Sequence, residues 1–258
     1  MTEEPEAIAK RDWRLQAITT LASDFVSPST GQRHPAGSPV VLSAFAKKDG
    51  ALLQFPLPSV VAMYLSMSHR ALSEGGTSLE AALAPPHHNV ADGTMAIPES
   101  RETLFLSGME NLAAGVIFAY SAIEAFANHS IPDDYTYQRD RGDRRFREVY
   151  NKDQIERWLS LDTKLDQVLP EILSVTSPKG TKVWQEFTWL QEIRDRLVHT
   201  KSADWRKSGP EQAQGILWTQ LLDHNVNSAI SAASRTIMHY HKGPPERWMR
   251  KAPFPTTT

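Results

Sequence analysis

The chain of 258 residues carries 28 lysines and arginines against 30 aspartates and glutamates, a formal net charge of −2, and has no cysteine. Near-neutrality removes overall basicity as a basis for nucleic-acid binding, so any such binding must be local. The missing cysteines exclude a disulfide framework, zinc ribbons, iron–sulfur clusters and thiol catalysis, while 40% hydrophobic and 22% charged residues fit an ordinary globular protein. The opening MTEEPEAIAK lacks the basic-then-apolar order of an export signal. No stretch approaches the ~20 consecutive apolar residues that span a bilayer. A cytoplasmic protein with no membrane contact is expected.

In chain order, Ile8, Trp13, Leu15, Ile18, Leu21 and Ala22 recur near the helical period and predict a helix over residues 6–25. A Pro, Gly and Ser-rich loop follows to Pro39. VVLSAF and ALLQF flank Asp49-Gly50, a hairpin signal because both central positions of a type I′ turn need positive φ. Pro58-Ser59 opens a helix to about Ser73, closed by Gly75-Gly76, and residues 84–98 read as loop. Residues 101–129 form a long apolar helix that stops before Ile131-Pro132. The charged segment 133–153 contains Arg139, Arg141, Arg144, Arg145 and Arg147, interleaved with acids in the manner of a solvated loop. Leu161, Leu165, Val168, Leu169 and Ile172 share a helix face that Pro170 must kink or break. Val183 to His199 is a strong helix, 211–241 a last one, and the Pro-rich end from Gly243 a flexible tail.

The sequence has no Walker A loop, GxGxxG, HExxH or GxSxG, so P-loop hydrolysis, dinucleotide redox chemistry, zincin proteolysis and α/β-hydrolase chemistry lack support. No metal or cofactor is called for: His87-His88 and His239-Tyr240-His241 have no carboxylate at ligand spacing and read as surface residues.

The segment that can carry chemistry is EIRDRLVHT, residues 192–200. Asp195 and His199 are i and i+4, so the carboxylate can accept a hydrogen bond from the imidazole and fix its tautomer. Arg194 and His199 lie about 140° apart around an ideal helix, so one helix alone converges them poorly and a two-fold copy would be needed to bring both into one cleft. With 17 arginines and 9 histidines in the chain, chance supplies roughly 0.6 such spacings, so the spacing needs context. A second pair, Arg235 and His241, lies one helix later.

The context resembles the HEPN superfamily of small helical bundles. YSAIEAFANHSI places Glu124 and Asn128 in a long apolar helix, WLSLDTKLDQVLPEIL follows as a middle helix, and Arg194, Asp195 and His199 match the pattern of Arg, a polar residue, three variable positions and His. The likeness covers about 101–241; Lys201 stands where one subgroup has tyrosine. It implies a HEPN-like helical bundle over 98–242 and leaves the first hundred residues unexplained; with the elements read above, the chain is expected to be mainly α, with residues 1–97 an N-terminal region of unknown role that holds helices and a small β-hairpin, and 243–258 the tail. The likeness further implies a metal-independent endoribonuclease, a toxin or antiviral defence effector, acting as a homodimer with a composite active site and answering to a cognate antitoxin or regulator. His199 would be the acid or base, Arg194 would stabilise phosphate charge, and Asp195 would orient His199. Glu124 reads either as a site residue or as a buried acid paired with an arginine. For RNA contacts, Arg196, Lys201, Arg206 and Lys207 gather positive charge, Trp205 offers a stacking surface and Asn128 a polar contact. The competing expectation is a non-catalytic helical module that binds a partner protein or a nucleotide.

Overall fold

The computed structural model describes residues 10–16, 18–28, 30–85, 88–91, 94–140, 147–205, 217–242 and 246–254. The protein is mainly α with small β-hairpins. By contacts the chain divides within the first turn of its first described helix: one unit holds residues 1–63 and 244–253, the other 64–243 and 254–258.

In the first unit, β1 (Ile18–Thr20) pairs with β4 (Pro39–Val41), β2 (Phe25–Val26) with β3 (Arg33–His34), and β5 (Ser43–Lys48) with β6 (Ala51–Pro56), all antiparallel. In its described part the helix expected over 6–25 is absent: residues 18–20 and 25 are strand and the rest is turn or irregular. Ile18, Thr19 and Thr20 are β-branched and pair with Val41, Val40 and Pro39, and that long-range pairing overrides the helical spacing. Asp24 secures the intervening turn by accepting from the Ala36 backbone N–H at 2.8 Å and from Arg33. Between β5 and β6, Asp49 and Gly50 take φ of 50° and 79°, the paired positive values of the expected hairpin turn. Near the Pro-rich end, residues Arg247–Lys251 form a short helix, Trp248 is buried, and Arg247 donates to the Arg11 and Asp12 carbonyls.

The second unit is built on α1 (Val60–Ala82, of which all but the first turn belongs here), α2 (Glu102–His129), α3 (Lys152–Trp158), α4 (Leu161–Thr163), a π turn (Lys164–Val168), α5 (Leu169–Leu173), α6 (Lys182–Val198), α7 (Ser202–Trp205), α8 (Leu217–Leu222) and α9 (Ala229–Tyr240). α2 is central. Its Leu112, Val116, Ala119, Ile123 and Ala127 are buried at three- and four-residue spacing, the stripe a core helix needs. By length and composition Glu99–His129 would reach across a membrane; here that stripe packs against α6 and α9. α1 does not end at Gly75-Gly76. It runs through them because small residues are needed where it crosses α2: a Cβ on Gly115 would stand 2.6 Å from Leu72, and one on Gly108 2.8 Å from Leu79. Ser68 Oγ donates to the Gly115 carbonyl at 2.8 Å in the same crossing.

The break foreseen at Pro170 takes the form of the π turn, which widens the backbone ahead of the proline. The Leu165 carbonyl in that turn accepts the buried Tyr240 hydroxyl. The segment 133–153 holds a hairpin, β9 (Thr136–Asp140) with β10 (Arg147–Asn151), where a loop was expected; Tyr137 and Tyr150 pair across it with rings 6.4 Å apart. Residues 88–91 and 94–96 likewise form β7 and β8. The single helix expected over 211–241 is interrupted: α8 ends before Asp223, a 3₁₀ turn covers His224–Ser228, and α9 begins at Ala229. Asp223, Asn227 and Ser228 are of the residue types whose short polar side chains compete with the helical backbone for hydrogen bonds.

Candidate functional site

The site grows from the C-terminal end of α6. Thr181 caps the start of this helix through the Trp184 N–H, and Phe187, Leu190 and Ile193 bury one face, which fixes the rotation of the last turn. His199 is the C-cap. Its backbone N–H reaches the Asp195 carbonyl at 2.7 Å and its φ and ψ of −119° and 63° leave the helical region, so the helix ends at this residue. Among the described residues the His199 ring makes no hydrogen bond, to Asp195 or otherwise, and it is exposed. The Asp195 carboxylate instead accepts from Arg194 Nη1 at 2.8 Å.

Arg194 turns toward α2. Its guanidinium carbon sits 4.6 Å from the centre of the Tyr120 ring. Tyr120 is buried, and its phenol is pushed up to about 12, first by burial; Arg194 pulls it down, while Glu124, Asp195 and Asp162 push it up. His199 faces an open cleft of about 470 Å³ lined by Glu192, Asp195, Arg196, His199, Lys201 and Gln220. Arg194 is not among its lining residues. One chain thus places Asp195 and His199 on a common cleft and keeps Arg194 beside it.

Arg196 is engaged inside the fold. It donates to Asp204 Oδ1 at 2.6 Å and to Gln220 Oε1 at 3.1 Å. The Asp204 side chain is only 1% exposed. The Leu217 backbone N–H, at 2.9 Å, and the Arg196 guanidinium hold its carboxyl below the usual range. Lys201 is exposed on the cleft. Arg206 and Lys207 lie outside the described residues, as does the side chain of Trp205, whose backbone ends α7.

Glu124 and Asn128 belong to a second polar cluster. Asn128 Oδ1 accepts from Lys164 Nζ at 2.8 Å, and the same ammonium donates to the Glu156 carbonyl at 2.9 Å. Lys164 is 1% exposed. Burial pushes its ammonium below the ordinary 10.5, while the nearby Glu124 and Glu156 pull it back. Lys164 and Tyr120 were not singled out in the sequence. Their signals were present: a lysine between Leu161 and Leu165 on an apolar stripe, and a tyrosine one turn before Glu124. The second Arg and His pair plays no part, since Arg235 bonds Glu186 at 2.6 Å. Among the described residues no group of three or more His, Cys, Asp or Glu side chains could hold a metal.

No family model matches the chain, and no curated protein or solved structure matches it either.

Proposed function

We propose that the protein is a metal-independent endoribonuclease of HEPN-like design, a toxin or antiviral effector, that works as a pair of identical chains. The observation that carries this reading is the end of α6: His199 is exposed with an uncommitted ring on a cleft that also holds Lys201, and Arg194 is held one turn away. Because Arg194 does not line that cleft in one chain, the site needs a second copy to complete it. Val198, Trp218 and Leu222 support such pairing, being large apolar side chains left exposed on α6 and the adjoining α8.

In the paired site the imidazole of one copy removes the proton of a ribose 2′-hydroxyl. The 2′-oxygen attacks phosphorus, the bond from phosphorus to the 5′-oxygen breaks, and the protonated imidazole of the other copy donates to that oxygen. Arg194 meets the charge building on the phosphate, for which a planar guanidinium is suited. The products are a 2′,3′-cyclic phosphate and a 5′-hydroxyl. Purified protein in EDTA should cut RNA to these ends, and His199→Ala should abolish cleavage while leaving melting unchanged. A folded dimer that leaves varied RNAs intact would overturn the reading.

A second reading, a non-catalytic helical module for a partner protein or nucleotide, draws on the Arg194–Asp195 pair, which leaves His199 without its expected orienting group. Under it, His199→Ala would alter stability or binding and no turnover would exist to lose.

A further inference from the structure

We propose that Tyr120 is the positioning residue for Arg194, a buried aromatic floor that presents the guanidinium edge to a phosphodiester. The inference rests on the endoribonuclease reading and extends it to a residue outside the Arg and His pattern.

Arg194 is a long side chain at a helix end and, left to itself, would sample many rotamers. Two contacts remove that freedom. The Tyr120 ring lies 4.6 Å beneath the guanidinium carbon, and Asp195 takes Nη1 at 2.8 Å. The ring is itself fixed: it is 6% exposed and stacks on Phe187 at 6.3 Å and 18°, and Phe187 in turn meets Trp184 at 5.4 Å. The Arg194 side chain keeps 28% exposure. A cation held over an aromatic face is attracted to the ring's π system and gives up none of its N–H donors to it. Among the described residues only Asp195 claims one of them, so the remaining donors are free to make a two-pronged contact with phosphate oxygens. The Tyr120 hydroxyl makes no hydrogen bond among the described residues, so the ring and not the hydroxyl carries the role.

The test uses full-length Tyr120→Phe and Tyr120→Leu, alone and in an Arg194→Ala background. With RNA substrate, Tyr120→Phe should stay within about twofold of the parent, and Tyr120→Leu should lower kcat about tenfold with KM little changed, the size expected for a partly desolvated cation–π contact. In the Arg194→Ala background Tyr120→Leu should cost nothing further. An equal loss in both backgrounds would overturn the proposal, because a merely structural tyrosine acts whether or not Arg194 is present. A second readout does not need cleavage: the Arg194 Nε–H resonance, assigned by its loss in Arg194→Ala, should shift when a 2′-O-methyl oligonucleotide is added to the parent and to Tyr120→Phe, and should not in Tyr120→Leu. A shift without cleavage of ordinary RNA would refute the endoribonuclease and leave the aromatic floor standing. No shift in the parent would refute the floor.

Discussion

Between Tyr64 and Gly243 the chain buries long apolar stripes such as Leu112 to Ala127, and it can house a lysine and an aspartate within that interior. Residues 10–63 do the reverse. Their two-stranded pairs leave Phe25, Val26, Phe45, Leu52 and Leu53 exposed, and the ion pairs of Asp12 with Arg14 and Asp24 with Arg33 lie at the surface. A two-stranded hairpin is marginal in water by itself, whereas a helix whose stripe is covered is held by burial. Polar groups therefore have different weight in the two units: buried ones in the helical unit are costly to disturb, and surface ones in the other are cheap.

The sharpest way to break this contrast is Asp204→Ala, which takes the buried carboxylate away from the Arg196 guanidinium and the Leu217 N–H; it should cost about 3 kcal/mol in urea unfolding. Asp24→Ala should be barely measurable by the same assay, and similar losses would undo the comparison. The Asp204 carboxyl is held below its ordinary 3.8. Its stabilisation is therefore complete above 3.8 and disappears as pH falls through the folded-state value. Next in size, Gly115→Ala should cost about 1 to 3 kcal/mol by overpacking α1 against α2, because the added Cβ meets Leu72 at 2.6 Å.

Lys164 should show itself as a slope. Its folded pKa lies below 10.5, so the unfolded chain binds more protons as pH climbs toward 10.5, and stability should rise over that window. Lys164→Met should flatten the rise, measured by denaturation at a series of alkaline pH values; an unchanged slope would place the effect elsewhere. The smallest expected effect is a gain: Gly76 sits mid-helix with nothing within 4 Å of an added Cβ, so Gly76→Ala should stabilise by about 0.5 to 1 kcal/mol, a rise in Tm.

Much of the helical unit is readable in the sequence because its signal is local. The stripes of α2 and α6 and the stop before Pro132 depend on residues a turn or two apart, as does the Asp49-Gly50 turn. The errors share a different origin. Whether residues 18–20 become strand or helix depends on Val40 and Val41 twenty residues on, and whether Gly75-Gly76 ends a helix or lets one pass depends on Gly108 across the crossing. At the candidate site, the residues of the Arg and His pattern can be named from spacing. Spacing does not show that Asp195 turns to its neighbour Arg194 or that Arg196 closes on Asp204, which are choices of side-chain direction, nor that Tyr120 meets Arg194 and Lys164 meets Asn128, which are set by packing between elements distant in the chain.

The clasp of Arg247 on the carbonyls of Arg11 and Asp12 joins residues up to 236 positions apart. A ribosome adding ~5–20 residues per second takes about 10 to 50 s to cover that distance. Over that interval the strand-built unit lacks the segment to which Arg247 belongs, so the part of the chain made first cannot be completed until residues 64–243 have been made.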